Sequence, residues 1–210
     1  MNAGCPSIIF DVFGVLLSSS FRSGARALEA LLKRPAAIIE PIYTRWEYPW
    51  DRGEITGAEF WAHVQSALGT DVDWRLLDAA VLNNIRPLPG SLSLLDRCTA
   101  QINTFLLSDT RQEWFNTLDG RYGLRRRVKR AFLSYEMGFG KAEPRCFQHV
   151  LAELRVPATT ICLIDDRGEN QEMARRFDMK AIRFQDARQA ETDLARLFPG
   201  ILRRAGAESS

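Results

Sequence analysis

Histidine and cysteine are scarce, two and four in 210 residues. Cys5, Cys98, Cys146 and Cys162 stand far apart, with no CxxC pair and no histidine beside them, which excludes the ligand spacing of a zinc site and gives no disulfide framework. A reducing compartment is the simplest home, so the protein is expected to be cytoplasmic. No apolar run is long enough for a bilayer: Ile8 to Leu17 is broken by Asp11 and has no basic flank before it, so neither a membrane span nor a secretory leader is expected. An excess of one charge is missing too. With 28 Lys and Arg against 26 Asp and Glu the net charge is +2, too weak a field to make nucleic acid or an anionic membrane the main partner. The 14 glycines and 9 prolines show neither a collagen period nor a disordered bias.

What is present is a globular composition, 46% hydrophobic and 26% charged. A chain of this length forms one large domain, or a core with an insertion, and buries about 70% of its extended surface. Ser7 to Val12, SIIFDV, reads as a buried strand with Asp11 at its end and Gly14 permitting a sharp turn after it. Ile102 to Leu107 and Thr160 to Ile164 repeat the pattern, running into Ser108-Asp109-Thr110 and Asp165-Asp166; Ala131 to Ser134 and Lys180 to Phe184 are shorter runs of the same type. Helical stripes occur over Glu143 to Leu154, Glu169 to Phe177 and Gln189 to Leu197. The fold class is therefore α/β, a doubly wound, Rossmann-like and mostly parallel sheet.

The first two main strands are separated by about 90 residues, far more than one crossover helix needs. Amphipathic stretches at Arg22 to Lys33, Ala37 to Tyr48, Thr56 to Leu68 and Asp73 to Ile85 fill the gap, broken at Pro35, Pro49 to Gly53 and Gly69-Thr70. The expected organisation is an α/β core over residues 1–17 and 89–205, a four-helix cap over 18–88 and a polar tail over 206–210 that begins to fray near Arg203.

In a parallel sheet ligands collect beyond the carboxyl ends of the strands. That brings Asp11, Ser108, Lys141 in GFGKAEP and Asp165-Asp166 to one crevice. Three carboxylates around one lysine repel one another, and a hard divalent cation such as magnesium, which prefers oxygen ligands, relieves the repulsion. Taken singly each residue has a plainer reading: an aspartate after a strand caps a turn, Ser108 caps a helix, and Lys141 is a solvated surface group.

Together, Asp11 in FDVFGVLL, Ser108 in LLSDT, Lys141 in GFGKAEP and Asp165-Asp166 in LIDDRGEN resemble the four ordered motifs of the haloacid dehalogenase-like hydrolase superfamily. The phrases DRGEITGAEFW and LIDDRGEN are most similar to its branch of glucose-1-phosphatase-type sugar-phosphate phosphatases and the N-terminal phosphatase domain of soluble epoxide hydrolase. The resemblance implies a magnesium-dependent phosphatase acting on a small phosphorylated metabolite through an aspartyl-phosphate. Asp11 would be the nucleophile, with Ser108 and Lys141 completing the catalytic set; Ser108, Asp109, Lys141 and Gly14 would bind substrate. Mg2+ would sit between Asp11, the Phe13 backbone carbonyl and Asp166, with Asp165 beside it and Asn170 orienting a bound water. No nucleic acid or membrane partner is implied, and the chain would work as a monomer or homodimer.

Two positions depart from the pattern. Phe13 stands where most of these phosphatases carry a proton-transferring aspartate, which leaves open a metal-free 2-haloacid dehalogenase or a fold that binds a phosphorylated ligand without turnover. Ala142 replaces the proline that usually follows the lysine. Elsewhere, the basic run Arg121 to Arg130 reads as a solvated face, His63 and His149 as packing or surface residues, and Arg22 and Arg26 as surface charge. Trp46, Trp50, Trp61 and Trp74 read mostly as the core of the small cap bundle, the alternative being that one or two near Pro49 to Arg52 line the substrate pocket.

Overall fold

Residues 6–200 are described by the structure, a computed structural model. Cys5 and the tail expected from Arg203 to Ser210 lie outside them. The SIIF run forms β1 (Ser7–Phe10), after which the chain leaves the sheet for four helices, α1 (Ser20–Leu32), α2 (Ala36–Asp51), α3 (Gly57–Leu68) and α4 (Trp74–Leu82). It returns through α5 (Ser91–Thr99) to β2 (Asn103–Ser108), then α6 (Gln112–Tyr122) and β3 (Arg130–Leu133). A single turn α7 (Ser134–Met137), α8 (Pro144–Leu154), β4 (Ile161–Asp165), α9 (Gly168–Arg176), β5 (Lys180–Arg183) and α10 (Ala187–Leu197) complete it.

Every strand pair is parallel, in the order β3-β2-β1-β4-β5. Side chains alternate between two faces, as the pleat requires. Ile8, Phe10, Leu106, Cys162 and Ile164 enter one buried cluster; Ile9, Phe105, Leu107, Ile161 and Leu163 enter the other. The first cluster continues through Leu28, Tyr43, Phe60 and Val81, so the inserted helices and one sheet face share a core. The second is covered by Phe147 and Val150 of α8 and Ala174 of α9.

At the foot of the insertion the outgoing and returning segments pair antiparallel. Ser18 N–H donates to the Arg86 carbonyl at 2.8 Å and Leu88 N–H to the Leu16 carbonyl at 2.9 Å. The Thr56 hydroxyl and Glu59 carboxylate form a reciprocal capping box that starts α3, and Gly69 ends it at φ 62.

One boundary differs from expectation. The break expected over Pro49 to Gly53 sets in only after Asp51, so α2 runs through Pro49 three residues past the expected end at Tyr48. A proline removes the bond to the carbonyl four residues earlier, Arg45, and costs about 3 kcal/mol in a helix interior. Here the last turn is held from outside: Trp50 packs on Phe60 and Trp114, and the Asp51 carbonyl accepts the Ser134 hydroxyl. Tertiary contacts override the local breaker.

The basic run is divided among neighbours. Arg121 donates to Asn83, Arg125 pairs with Glu136, Arg127 with Asp96 and Arg130 with Glu153. His63 stacks on Trp46 with centroids 3.7 Å apart, and His149 meets Phe132 and Phe139 edge-on. No helix among the described residues is long and apolar enough to cross a membrane.

Candidate active site

Because the strands run one way, their carboxyl ends share an edge. Asp11 directly follows β1, Ser108 ends β2 and Asp165 ends β4. Lys141 enters from the loop before α8, and its Nζ lies 2.6 Å from Asp11 Oδ2 and 2.7 Å from Asp165 Oδ2. Asp165 is held on both oxygens: Oδ1 accepts the Arg167 N–H at 2.9 Å, and the Asn170 amide donates to Oδ1 and Oδ2 at 3.0 Å each. Asp165 is thus a fixed post for the ammonium. Asp166, beside it, is half-buried, and its carboxylate is the freer of the two.

Two buried carboxylates against one ammonium leave a negative charge unmatched. Burial pushes the Asp11 carboxyl well above the ordinary range despite the pull of Lys141. Burial acts on Asp165 in the same sense, but Lys141, the Arg167 amide and Asn170 outweigh it and hold that carboxyl below the usual range. Burial opposes the charge on Lys141, and Asp11, Asp165 and Asp109 overcome it, so the ammonium is retained. Burial and the neighbouring Asp165 raise Asp166.

One oxygen from each of Asp11, Asp165 and Asp166 lies within 4.8 Å of the others. Six-coordinate magnesium binds oxygens at about 2.0–2.1 Å, so opposite ligands are about 4 Å apart, and an all-oxygen trio on this scale fits it. Gly14 explains how Asp166 comes so close: it has φ +86, and a Cβ there would stand 2.4 Å from Asp166 Oδ2. The Gly14 N–H is taken by the Leu17 carbonyl at 2.7 Å.

Ser108 is fully buried, and its hydroxyl donates to the Asp109 carbonyl at 3.4 Å. The Asp109 carboxylate accepts the Lys141 N–H at 2.9 Å, and a Cβ on Gly140 would meet it at 2.8 Å. Asp109 therefore clamps the lysine loop. Glu143 closes that loop by accepting the Gly140 N–H at 3.1 Å, and it takes the Tyr48 hydroxyl of α2 at 3.0 Å. The turn closes with Ala142 in it, the Glu143 N–H donating to the Gly140 carbonyl at 3.0 Å.

These groups open on a cavity of about 230 Å³. Asp11, Phe13, Asp109, Lys141, Asp166 and Asn170 line its sheet-edge side; Ser108 and Gly14 do not reach it. The inserted helices contribute Thr44, Glu47, Tyr48 and Asp51, joined by Arg111 and Arg167. No tryptophan lines it; Trp50 lies behind Arg111 and is buried with Trp61 in the core, the favoured of the two readings. Arg22 and Arg26 are exposed and stand apart from it.

Arg111 is the chief residue that sequence reasoning missed. It is 2% exposed, with its guanidinium 4.3 Å from the Trp50 ring centroid and 3.9 Å from that of Trp114. It donates to Asp51 Oδ1 at 2.5 Å, Glu47 Oε1 at 3.3 Å and the Tyr43 hydroxyl at 3.2 Å. Tyr43, Glu47 and Asp51 recur every four residues along α2, a spacing that puts them on one helix face.

A model of the haloacid dehalogenase-like hydrolases matches residues 6–178. No curated protein matches the chain significantly. Among solved structures, the HAD-family enzyme BT-2542 of Bacteroides thetaiotaomicron, in complex with magnesium and inorganic phosphate, is 20% identical, with 86% of this chain and 94% of that one covered at a TM-score of 0.71. A HAD-like family hydrolase of Porphyromonas gingivalis is 20% identical over 92% and 99%, TM-score 0.75. The L-2-haloacid dehalogenase of Xanthobacter autotrophicus, with chloropropionic acid covalently bound, is 17% identical over 95% and 85%, TM-score 0.65. At these identities the structural likeness establishes the fold. The family match over most of the chain, with a lysine bridging two carboxylates at the sheet edge, places the protein among the haloacid dehalogenase-like hydrolases.

Proposed function

We propose that the protein is a Mg2+-dependent phosphatase that hydrolyses a small phosphorylated metabolite, a sugar phosphate or similar, through an aspartyl-phosphate on Asp11. The observation that carries this reading is the close grouping of Asp11, Lys141 and Asp166 on one small cavity, with Asp165 buried behind them against Lys141. The Asp11 carboxylate attacks phosphorus, splitting one hard displacement into two easier ones. Lys141, fixed by Asp165, neutralises charge on the nucleophile and the transferring group, a role worth about 3–4 kcal/mol per donor. Asp11, Asp166 and the Phe13 carbonyl would hold Mg2+, with Asp165 next to it, and the ion supplies charge neutralisation to the phosphoryl oxygens. Ser108, buried behind the cavity wall, and the amides beside it are the groups that would have to reach a phosphoryl oxygen. Residues 18–88 form the cap, which excludes water and selects the leaving group.

BT-2542, of the same fold, holds magnesium and phosphate, which supports this choice. Purified protein with Mg2+ and a panel of phosphate esters should release phosphate, and Asp11→Asn should abolish release. Equal, negligible release by both proteins refutes the reading. Phe13 favours one alternative, a metal-free 2-haloacid dehalogenase, since halide departs without a proton; release of halide that persists in chelator selects it. Asp166 argues against it: with Asp165 already matched to Lys141, a metal-free reaction has no use for a further carboxylate beside Asp11.

A further inference from the structure

An alkyl phosphate leaves as an alcohol only if its departing oxygen receives a proton, and Phe13 has none to give. The cavity offers few substitutes. Asp11, Asp166 and Lys141 are occupied as nucleophile, cation ligand and phosphoryl partner, and Asp109 is tied to the Lys141 amide at 2.9 Å. The acids left on its wall are Glu47 and Asp51, both on α2.

These two share one guanidinium. Arg111 reaches Asp51 Oδ1 at 2.5 Å and Glu47 Oε1 at 3.3 Å, stacked between Trp50 and Trp114. Burial and a second carboxylate nearby both disfavour charge on a carboxyl here, against the pull of Arg111 and, at Glu47, of Arg167 on the same wall. Asp51 is the deeper, its side chain 12% exposed against 19% for Glu47. Its Oδ1 faces Arg111, and its Oδ2 makes no hydrogen bond among the described residues. Its backbone is pinned by the Ser134 hydroxyl on its carbonyl, which fixes where the carboxyl sits.

Resting on the phosphatase reading, we propose that Asp51, reaching in from the inserted helix α2, is the acid and base that position 13 lacks. As an Asp11 oxygen bonds to phosphorus, the bond from phosphorus to the leaving oxygen breaks. The electron pair stays on that oxygen and the Asp51 proton moves onto it, so the alcohol departs. Ionised Asp51 then takes a proton from water, whose oxygen bonds to phosphorus while the bond from phosphorus to Asp11 breaks and returns its pair to the carboxylate. Inorganic phosphate and the starting enzyme result. Burial pushes the Asp51 carboxyl up to about 7 against the pull of Arg111, with Glu47 and Asp109 adding to the rise.

The test compares kcat/KM for glycerol phosphate, a poor leaving group, and p-nitrophenyl phosphate, a good one, with Mg2+ present. Asp51→Asn should lose about 100- to 10,000-fold on the alkyl ester and less than about tenfold on the aryl ester, and Asp51→Glu should restore part of the alkyl rate. In wild type the alkyl rate should fall as pH rises through neutrality while the aryl rate does not. Equal losses on both esters, or none, overturn the assignment. If Asp51→Asn does not fold, superimposable wild-type pH profiles overturn it instead. Wild-type turnover that dies in Asp11→Asn without leaving-group selectivity sinks this assignment alone; no turnover of either ester sinks the phosphatase reading with it.

Discussion

Replacing Gly14 by alanine strikes the contact between the first and last loops of the site. The backbone there has φ +86, a left-handed conformation that costs an L residue about 1–2 kcal/mol. The new Cβ would lie 2.4 Å from Asp166 Oδ2 and 2.5 Å from its Cγ, where ordinary contact begins at 3.4 Å. Asp166 must therefore retreat by about 1 Å, twice the roughly 0.5 Å tolerance of a working site. We expect Gly14→Ala to bind Mg2+ about 10- to 100-fold more weakly, as when a metal site loses its positioning contacts. Taking about 2–4 °C per kcal/mol for a chain of this size, the metal-free protein should melt about 2–8 °C lower. Isothermal titration with Mg2+ and thermal melts in chelator measure the two effects. Unchanged affinity and unchanged melting would refute the claim that glycine is required by the approach of Asp166.

Asp78 accepts both the Trp61 and Trp114 indole N–H groups, at 3.0 and 2.8 Å; Asp78→Ala leaves both without an acceptor and should cost about 2–4 kcal/mol, read as a lower denaturant midpoint. Ser134 accepts the Thr110 N–H at 2.8 Å and lies on the Asp51 and Thr110 carbonyls, so Ser134→Ala should lose about 1–3 kcal/mol; an unchanged melt would contradict it. The Asp51 carboxyl stands at about 7 in the folded chain against an ordinary 3.8. The folded state therefore holds a proton that the unfolded chain has released, a stabilisation complete below about pH 4 and lost as pH rises to about 7. Urea midpoints across that window should fall more steeply for wild type than for Asp51→Asn, and parallel curves would contradict the assignment.

The sheet was legible because its central strands are apolar, partly β-branched runs ending in a polar residue: SIIF before Asp11, TICLI before Asp165. The four inserted helices were legible from their apolar period, and the core motifs from order along the chain. What escaped was set by tertiary contact. Nothing near Pro49 reports that Ser134, 85 residues later, will hold the last turn of α2. Tyr43, Glu47 and Asp51 form a polar stripe that reads as a solvated face until Arg111 is known to oppose it. Arg111 itself, next to Ser108-Asp109-Thr110, lies one position beyond the motif and so went unmarked.

The indoles flanking Arg111 belong to different parts of the chain, Trp50 to the inserted α2 and Trp114 to α6 after β2, with centroids 5.3 Å apart at 73°. Chromophores so near and so steeply inclined couple in their excited states and give a paired band in circular dichroism. Any swing of α2 relative to α6 would change the separation and angle of the two rings, and with them the paired band. A movement of α2 against α6 would therefore be readable without a label, in a stopped-flow mixing experiment on the unmodified protein.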